Sequence, residues 1–258
     1  MLKNKRVQSI LVISALMMIL FSSCRARFYT PNRHVVPMFK KSGEVFIDGS
    51  MNMFNKMDIT AGAALTDNIG AYVGYAGASQ TAGSDSVNED KYRYRGNMLN
   101  AGFGFFVNQD QSETFRFEIY GDFGYGSFKN RVTGLHTEFF NGNYTRMGIM
   151  PSIGYRSVDD AFTLAYTARF SQLKFFNESY SDPQFWADDL KRYRYAPSYN
   201  MLEHALTMRL GGERIKFQMQ AAIYQALNAD RSDNLQSAVP YTNMAFMIGI
   251  VYNLYLKH

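Results

Sequence analysis

Ten charged residues set the chemical question. Glu44, Asp48, Asp58, Glu118 and Asp122 share their positions in the local pattern with Arg116, Arg146, Arg169, Arg209 and Lys216. Each has at least one Gly, Ser, Thr, Gln or Tyr two residues away, and at least one adjacent Phe, Ile, Leu, Met or Val. Charges on one face of alternating segments can do two things. They can close into a salt-bridge network, because an unpaired charge in a confined interior is costly. They can also line a polar path, with the arginines favouring anions. Tyr72, Tyr120, Tyr224, Gln218 and Gln220 compete for the same space, which favours a filled interior over a path.

Catalytic patterns are weak by comparison. Ser171-Gln-Leu-Lys174 matches S-x-x-K without its companion motifs. His136-Thr-Glu138 reads as H-x-E but lacks a P-C-x-x-C partner. The four histidines, His34, His136, His204 and His258, are scattered along the chain. No catalytic, cofactor-binding or metal-binding residue is assigned, and the chain is not expected to be an enzyme.

Composition narrows the class. A single cysteine in 258 residues excludes a disulfide framework and a cysteine zinc site. Aromatics at 16% and charged residues at 19% exclude intrinsic disorder. No apolar run reaches the 18 or so residues of a spanning helix.

Residues 1–23 read as a signal peptide. Lys3, Lys5 and Arg6 precede the 13-residue apolar run Ser9 to Phe21. Phe21-Ser-Ser-Cys24 then resembles the lipobox of bacterial lipoproteins, in a form common in Bacteroidota. The resemblance implies cleavage before Cys24 and its acylation, an anchor of two or three chains. Removing residues 1–23 takes away three bases and no acid, so the charge falls from +5 to +2. A nucleic-acid partner then has no basic domain to rest on. Residues 24–42 carry no hydrophobic period, and Pro31 and Pro37 favour an extended path. They are expected to form a periplasmic tether, with the anchor in the inner leaflet of the outer membrane.

From 43 to 258 the chain alternates with period two, the signature of strands. Ten segments emerge: 44–53, 58–66, 69–79, 92–106, 114–127, 143–155, 162–174, 202–210, 214–228 and 242–256. Pro151 suggests a bulge in the sixth. Short polar turns near 66–68, 108–112, 157–160 and 211–213 alternate with long loops at about 80–91, 128–142, 175–201 and 229–241. An even strand count with short turns at one end predicts an all-β, ten-stranded antiparallel up-and-down transmembrane barrel. The apolar face is too bulky for the inside of so narrow a barrel, so it faces lipid. Phe105, Phe115, Tyr155 and Phe162 at one edge, and Tyr75, Tyr125 and Phe170 at the other, fit interfacial girdles.

These features resemble the lipid-anchored outer-membrane β-barrels of Bacteroidota. The resemblance rests on Phe21 to Cys24, Pro37 to Glu44, Ala64 to Gly70, and Asn143 to Arg146 with Pro151 to Tyr155. It implies a membrane-lipid partner and long loops facing outward. The expected role is structural or partner-binding, within an outer-membrane complex. A small-solute channel is the alternative, and a rim-active hydrolase the third reading. In the long loop 177–200, Trp186, Tyr193 and Tyr195 are the candidate partner contacts, since such side chains commonly anchor interfaces.

Overall fold

The computed structural model describes residues 28–52, 55–83, 90–108, 114–134, 136–193, 198–228 and 244–255. Ten strands form in chain order: β1 (Glu44–Met51), β2 (Lys56–Ala64), β3 (Ile69–Ala82), β4 (Lys91–Asn108), β5 (Phe115–Thr133), β6 (Thr137–Arg156), β7 (Phe162–Tyr180), β8 (Tyr199–Gly211), β9 (Ile215–Ala226) and β10 (Met244–Tyr255). One short helix, α1 (Ala187–Tyr193), lies between β7 and β8. Each strand pairs antiparallel with the next, and β1 pairs with β10 from Glu44↔Tyr255 to Met51↔Ile248. The sheet is therefore a closed up-and-down barrel without edges, as the alternation predicts.

The two faces sort by parity. On β5, Phe115, Phe117, Ile119, Phe123 and Tyr125 point out, while Arg116, Glu118, Tyr120 and Asp122 are buried. The outward apolar run from Phe115 to Tyr125 spans ten residue steps. At roughly 3.4 Å per residue and a tilt near 40°, that is about 25 Å of height, the apolar band of an outer-membrane barrel. A row of rings edges it at the short-turn end, with Phe115–Tyr155 centroids 5.4 Å apart and Tyr155–Phe162 6.4 Å. At the other edge Tyr125 packs 6.1 Å from Phe176.

The structure departs from expectation on one wall. Segments 128–142 and 175–201 are not simply loops. β5 continues to Thr133, β6 begins at Thr137, and β7 runs to Tyr180. Above the apolar band the alternation inverts: Phe128, Val132, Phe140, Tyr144 and Leu173 point inward, while Lys129, Arg131 and Lys174 point out to water. That wall behaves as a soluble barrel would, so a reading tuned to outward apolar residues stops too early. The low side is β1 and β2, of 8 and 9 residues. Pro151 does not make a bulge. The β6–β7 ladder resumes at Ser152↔Thr167 in the register it had at Ile149↔Phe170, and the register shift lies between Asn141 and Asn143 instead. Asn177, opposite that shift, takes a left-handed φ of 54°.

The larger departure is inside. Residues 28–39 are not a tether outside the barrel; all twelve are buried. Phe39 packs against Phe46 and Phe106 at the short-turn end. Phe28 packs against Phe128 and Phe140 on the tall wall at the long-loop end. The segment thus runs through the lumen from one mouth to the other. It shows no hydrophobic period because wall surrounds it on every side, leaving no solvent face to alternate with.

Candidate functional site: a lumen closed by the chain's own segment

Starting at the short-turn end, Asp160 forms the floor. It lies in the turn after β6 with a left-handed φ of 60°. It pairs with Arg156 and with Lys216, whose Nζ also donates to the Asp160 carbonyl at 2.8 Å. Burial alone would raise the Asp160 carboxyl, but hydrogen bonds from Arg156 and Lys216 hold it below the ordinary carboxylate range. Glu44 accepts from the Lys40 backbone N–H at 2.8 Å, and Ser42 N–H donates to Asp67 at 2.9 Å. These contacts tie the entering segment to the rim.

Deeper in, wall side chains satisfy the segment's backbone. An extended chain without a neighbouring strand must place its N–H and C=O groups somewhere. Met38 N–H donates to Glu118 at 2.6 Å, and its carbonyl accepts from Arg116 at 2.5 Å and Arg156 at 3.2 Å. Met38 holds φ 57°, a conformation that costs a non-glycine residue on the order of 1 kcal/mol and is stabilised here by these contacts. Arg209 donates to the Val36 carbonyl at 2.7 Å. Gln220 meets both sides of His34, accepting from its N–H at 3.0 Å and donating to its C=O at 2.9 Å. Arg169 donates to the Arg33 carbonyl at 3.2 Å.

The centre is a charge cluster. Arg33, from the segment, pairs with Asp48 on β1. Arg146 grips Asp122 through Nε at 2.9 Å and through a second nitrogen, while Tyr72 donates to the other carboxylate oxygen at 2.8 Å. The third Arg146 nitrogen reaches Asn32 Oδ1 at 2.5 Å and the Tyr29 hydroxyl at 2.7 Å. Arg169 donates to Glu203 at 2.9 Å and to Asn32 at 3.2 Å. All these groups are buried.

The long-loop end is aromatic. Phe28 sits 5.1 Å from both Phe128 and Phe140, the latter edge-to-face. Tyr29 meets Tyr144 edge-to-face at 5.3 Å. Thr30 contacts the Tyr94 hydroxyl, and Gly96 makes room for that pair: a Cβ there would lie 2.1 Å from Thr30 Oγ1. Trp186 and Leu190 of the β7–β8 connection close this cluster from above, with Trp186 5.7 Å from Phe140. Voids beside the segment are small, about 40 Å³ near Thr30 and about 10 Å³ near Met38. The first has room for a few waters and the second for barely one.

The ten sequence-predicted charges all lie in this lumen. Their pairing differs from a wall-to-wall network. Among the described residues, Asp122 with Arg146 and Arg169 are the ion pairs formed within the set, the Arg169 contact at 4.0 Å. Asp48, Asp58 and Lys216 pair instead with Arg33, Lys56 and Asp160. Glu44, Glu118, Arg116 and Arg209 bond the segment's backbone. Glu203, Lys56 and Arg156 could have been found, since they share parity with Arg209, Asp58 and Gly154. Arg33, Asn32 and His34 carried no such signal.

Other candidates separate. Trp186 is 2% exposed in the cluster above, so it is a packing residue and not an open partner contact. Tyr193 ends α1; its side chain and all of Tyr195 lie outside the described residues, as does Cys24. Ser171 faces the lumen and Lys174 faces out, so the S-x-x-K pair cannot meet. His136 is exposed on the tall wall, while Glu138 accepts from Ser181.

No family model matches the chain, and no curated protein sequence matches it. Solved structures do. The outer membrane protease OmpT from Escherichia coli is similar with a TM-score of 0.51 at 10% identity, over 83% of this chain and 94% of that one. The translocator domain of the autotransporter NalP from Neisseria meningitidis gives 0.41 at 12% identity, over 98% and 97%. A major outer membrane protein from Thermus thermophilus gives 0.40 at 10%, over 82% and 99%. At such identity the first likeness speaks for architecture alone: this chain has the fold of an outer-membrane β-barrel.

Proposed function

We propose that this protein is a lipid-anchored outer-membrane barrel, closed by its own N-terminal segment, that acts through its outer surface as a structural or partner-binding component and not as a channel. The observation that carries this reading is the continuous burial of residues 28–39 through the lumen, beside which the void at Thr30 measures about 40 Å³ and that at Met38 about 10 Å³. The arginines that suggested an anion path are engaged by that segment. Arg116, Arg169 and Arg209 donate to its carbonyls, and Arg146 donates to Asn32.

The reading also moves the anchor. Cys24 is four residues before Phe28, and Phe28 packs at the long-loop end. Four extended residues reach about 14 Å. The acyl chains on Cys24 then belong to the outer leaflet, in place of the periplasmic leaflet expected from sequence.

Planar-bilayer recording tests the closed lumen. The intact chain should show no steady conductance, and deletion of 28–39 should open one; steady conductance of the intact chain would sink the reading. An epitope inserted after Arg25 tests the anchor's side. Antibody labelling on intact cells is expected, and labelling only after permeabilisation rules out the outer leaflet. Labelled fatty acid should be lost in Cys24→Ala.

A further inference from the structure

Among the described residues the lumen cations are engaged, whereas four outward cations of the tall wall form no ion pair. On the outward face of the tall wall, Arg93 lies directly opposite Arg131, and Arg95 directly opposite Lys129. All four are exposed, and none has an ion-pair partner among the described residues. Like charges facing each other across a strand pair repel, and here two such pairs stack on successive rungs. Together with Phe139 and Asn141 they line a concavity of about 420 Å³.

Its height is informative. Descending the same face, the next rung is Asn97 with Ser127, joined at 3.2 Å, and the one below is Leu99 with Tyr125 at the edge of the apolar band. The cations therefore stand about 13 to 20 Å further along the strands than that edge, or about 10 to 15 Å in height after tilt. Long basic side chains can reach down from there to the headgroup layer. Arg presents paired donors that match phosphate oxygens, and basic pockets at this depth suit anionic headgroups.

We propose that this grid binds the phosphate groups of an anionic outer-leaflet lipid, whose acyl chains then lie along Leu99, Tyr125 and Val73. The bound anion removes the repulsion between the facing cations, and Asn141 supplies an uncharged hydrogen-bonding group beside it. The inference rests on the membrane orientation of the preceding reading, but wall variants leave the lumen untouched, so conductance and epitope results stand apart from it.

The test uses the full chain in a neutral detergent, with native mass spectrometry of added phosphatidylglycerol, phosphatidylcholine or inorganic phosphate. Phosphatidylglycerol should bind at least tenfold more tightly than phosphatidylcholine. Arg95→Gln with Lys129→Gln should lose that preference. Equal retention of both lipids, or a preference unchanged in the variant, would overturn the site. Displacement of the lipid by equimolar inorganic phosphate would overturn lipid as its ligand. Unboiled electrophoresis should show the variant folded. Its midpoint in lipid-free detergent should equal or exceed that of the parent, and a lower midpoint would refute the repulsion on which the proposal stands.

Discussion

The upper end of the threaded segment and the stretch below it are held by different physics. Residues 28–30 are gripped by rings, with Phe28 and Tyr29 set among Phe128, Phe140 and Tyr144. Residues 32–38 are held mainly by directional bonds from Arg116, Glu118, Arg146, Arg169, Arg209 and Gln220. Ring packing is tolerant of small shifts along the axis. Hydrogen bonds to successive carbonyls are not, so the lower part sets the register and the upper part adds apolar burial. The contrast also explains the polar lumen. An extended strand inside a closed barrel finds no edge to pair with, so the wall must supply donors and acceptors as side chains.

Arg146 joins the two regions, touching Tyr29 above and Asn32 beside it, and its loss should have the largest effect. Arg146→Ala leaves the Asp122 carboxylate buried without its guanidinium, at a cost of about 3–5 kcal/mol. Urea titration read by unboiled electrophoresis should show the fall; an unchanged midpoint would contradict the cluster. Phe28→Ala should cost about 3 kcal/mol by cavity formation. It should also split the regions: hydrogen exchange should rise at 28–30 while 34–38 stay protected. Uniform loosening of both would show that the division is false. Gly96→Ala pushes a methyl against Thr30 Oγ1 and should cost about 1–3 kcal/mol, again confined to the upper region.

The floor gives a pH effect and then the smallest change. Asp160 is held below the ordinary carboxylate value, so its contribution is complete above the unfolded value of about 3.9 and is lost as pH falls through the lower folded value. Acid unfolding should steepen below about pH 4, and Asp160→Asn should flatten that limb. If both proteins titrate alike, the floor pairing contributes nothing. Lys40→Ala removes a partly exposed partner 4.0 Å from Asp160 and should change stability by less than about 1 kcal/mol.

How much was legible depends on what each residue faces. Along β5 a strict contrast between lipid and lumen made Phe115 to Tyr125 readable at every position. Past Tyr125 the outside becomes water, Lys129 and Arg131 turn outward, and the same strand continues with its polarity reversed. Glu203 on β8 was readable by counting back from Arg209. Trp186 was misread because an aromatic residue in a long loop looks like a contact surface until Phe140 and Leu190 are seen beneath and beside it.

Period-two alternation by itself determined the barrel, its strand number, the inward set of ten charges and the apolar band, because a strand between two solvents must write both into its sequence. Only the tertiary structure decided where residues 28–39 go and which partner each charge takes. A segment enclosed on all sides has no face to encode. Its place follows from the size of the lumen and from carbonyls meeting arginines contributed by strands far apart in the chain.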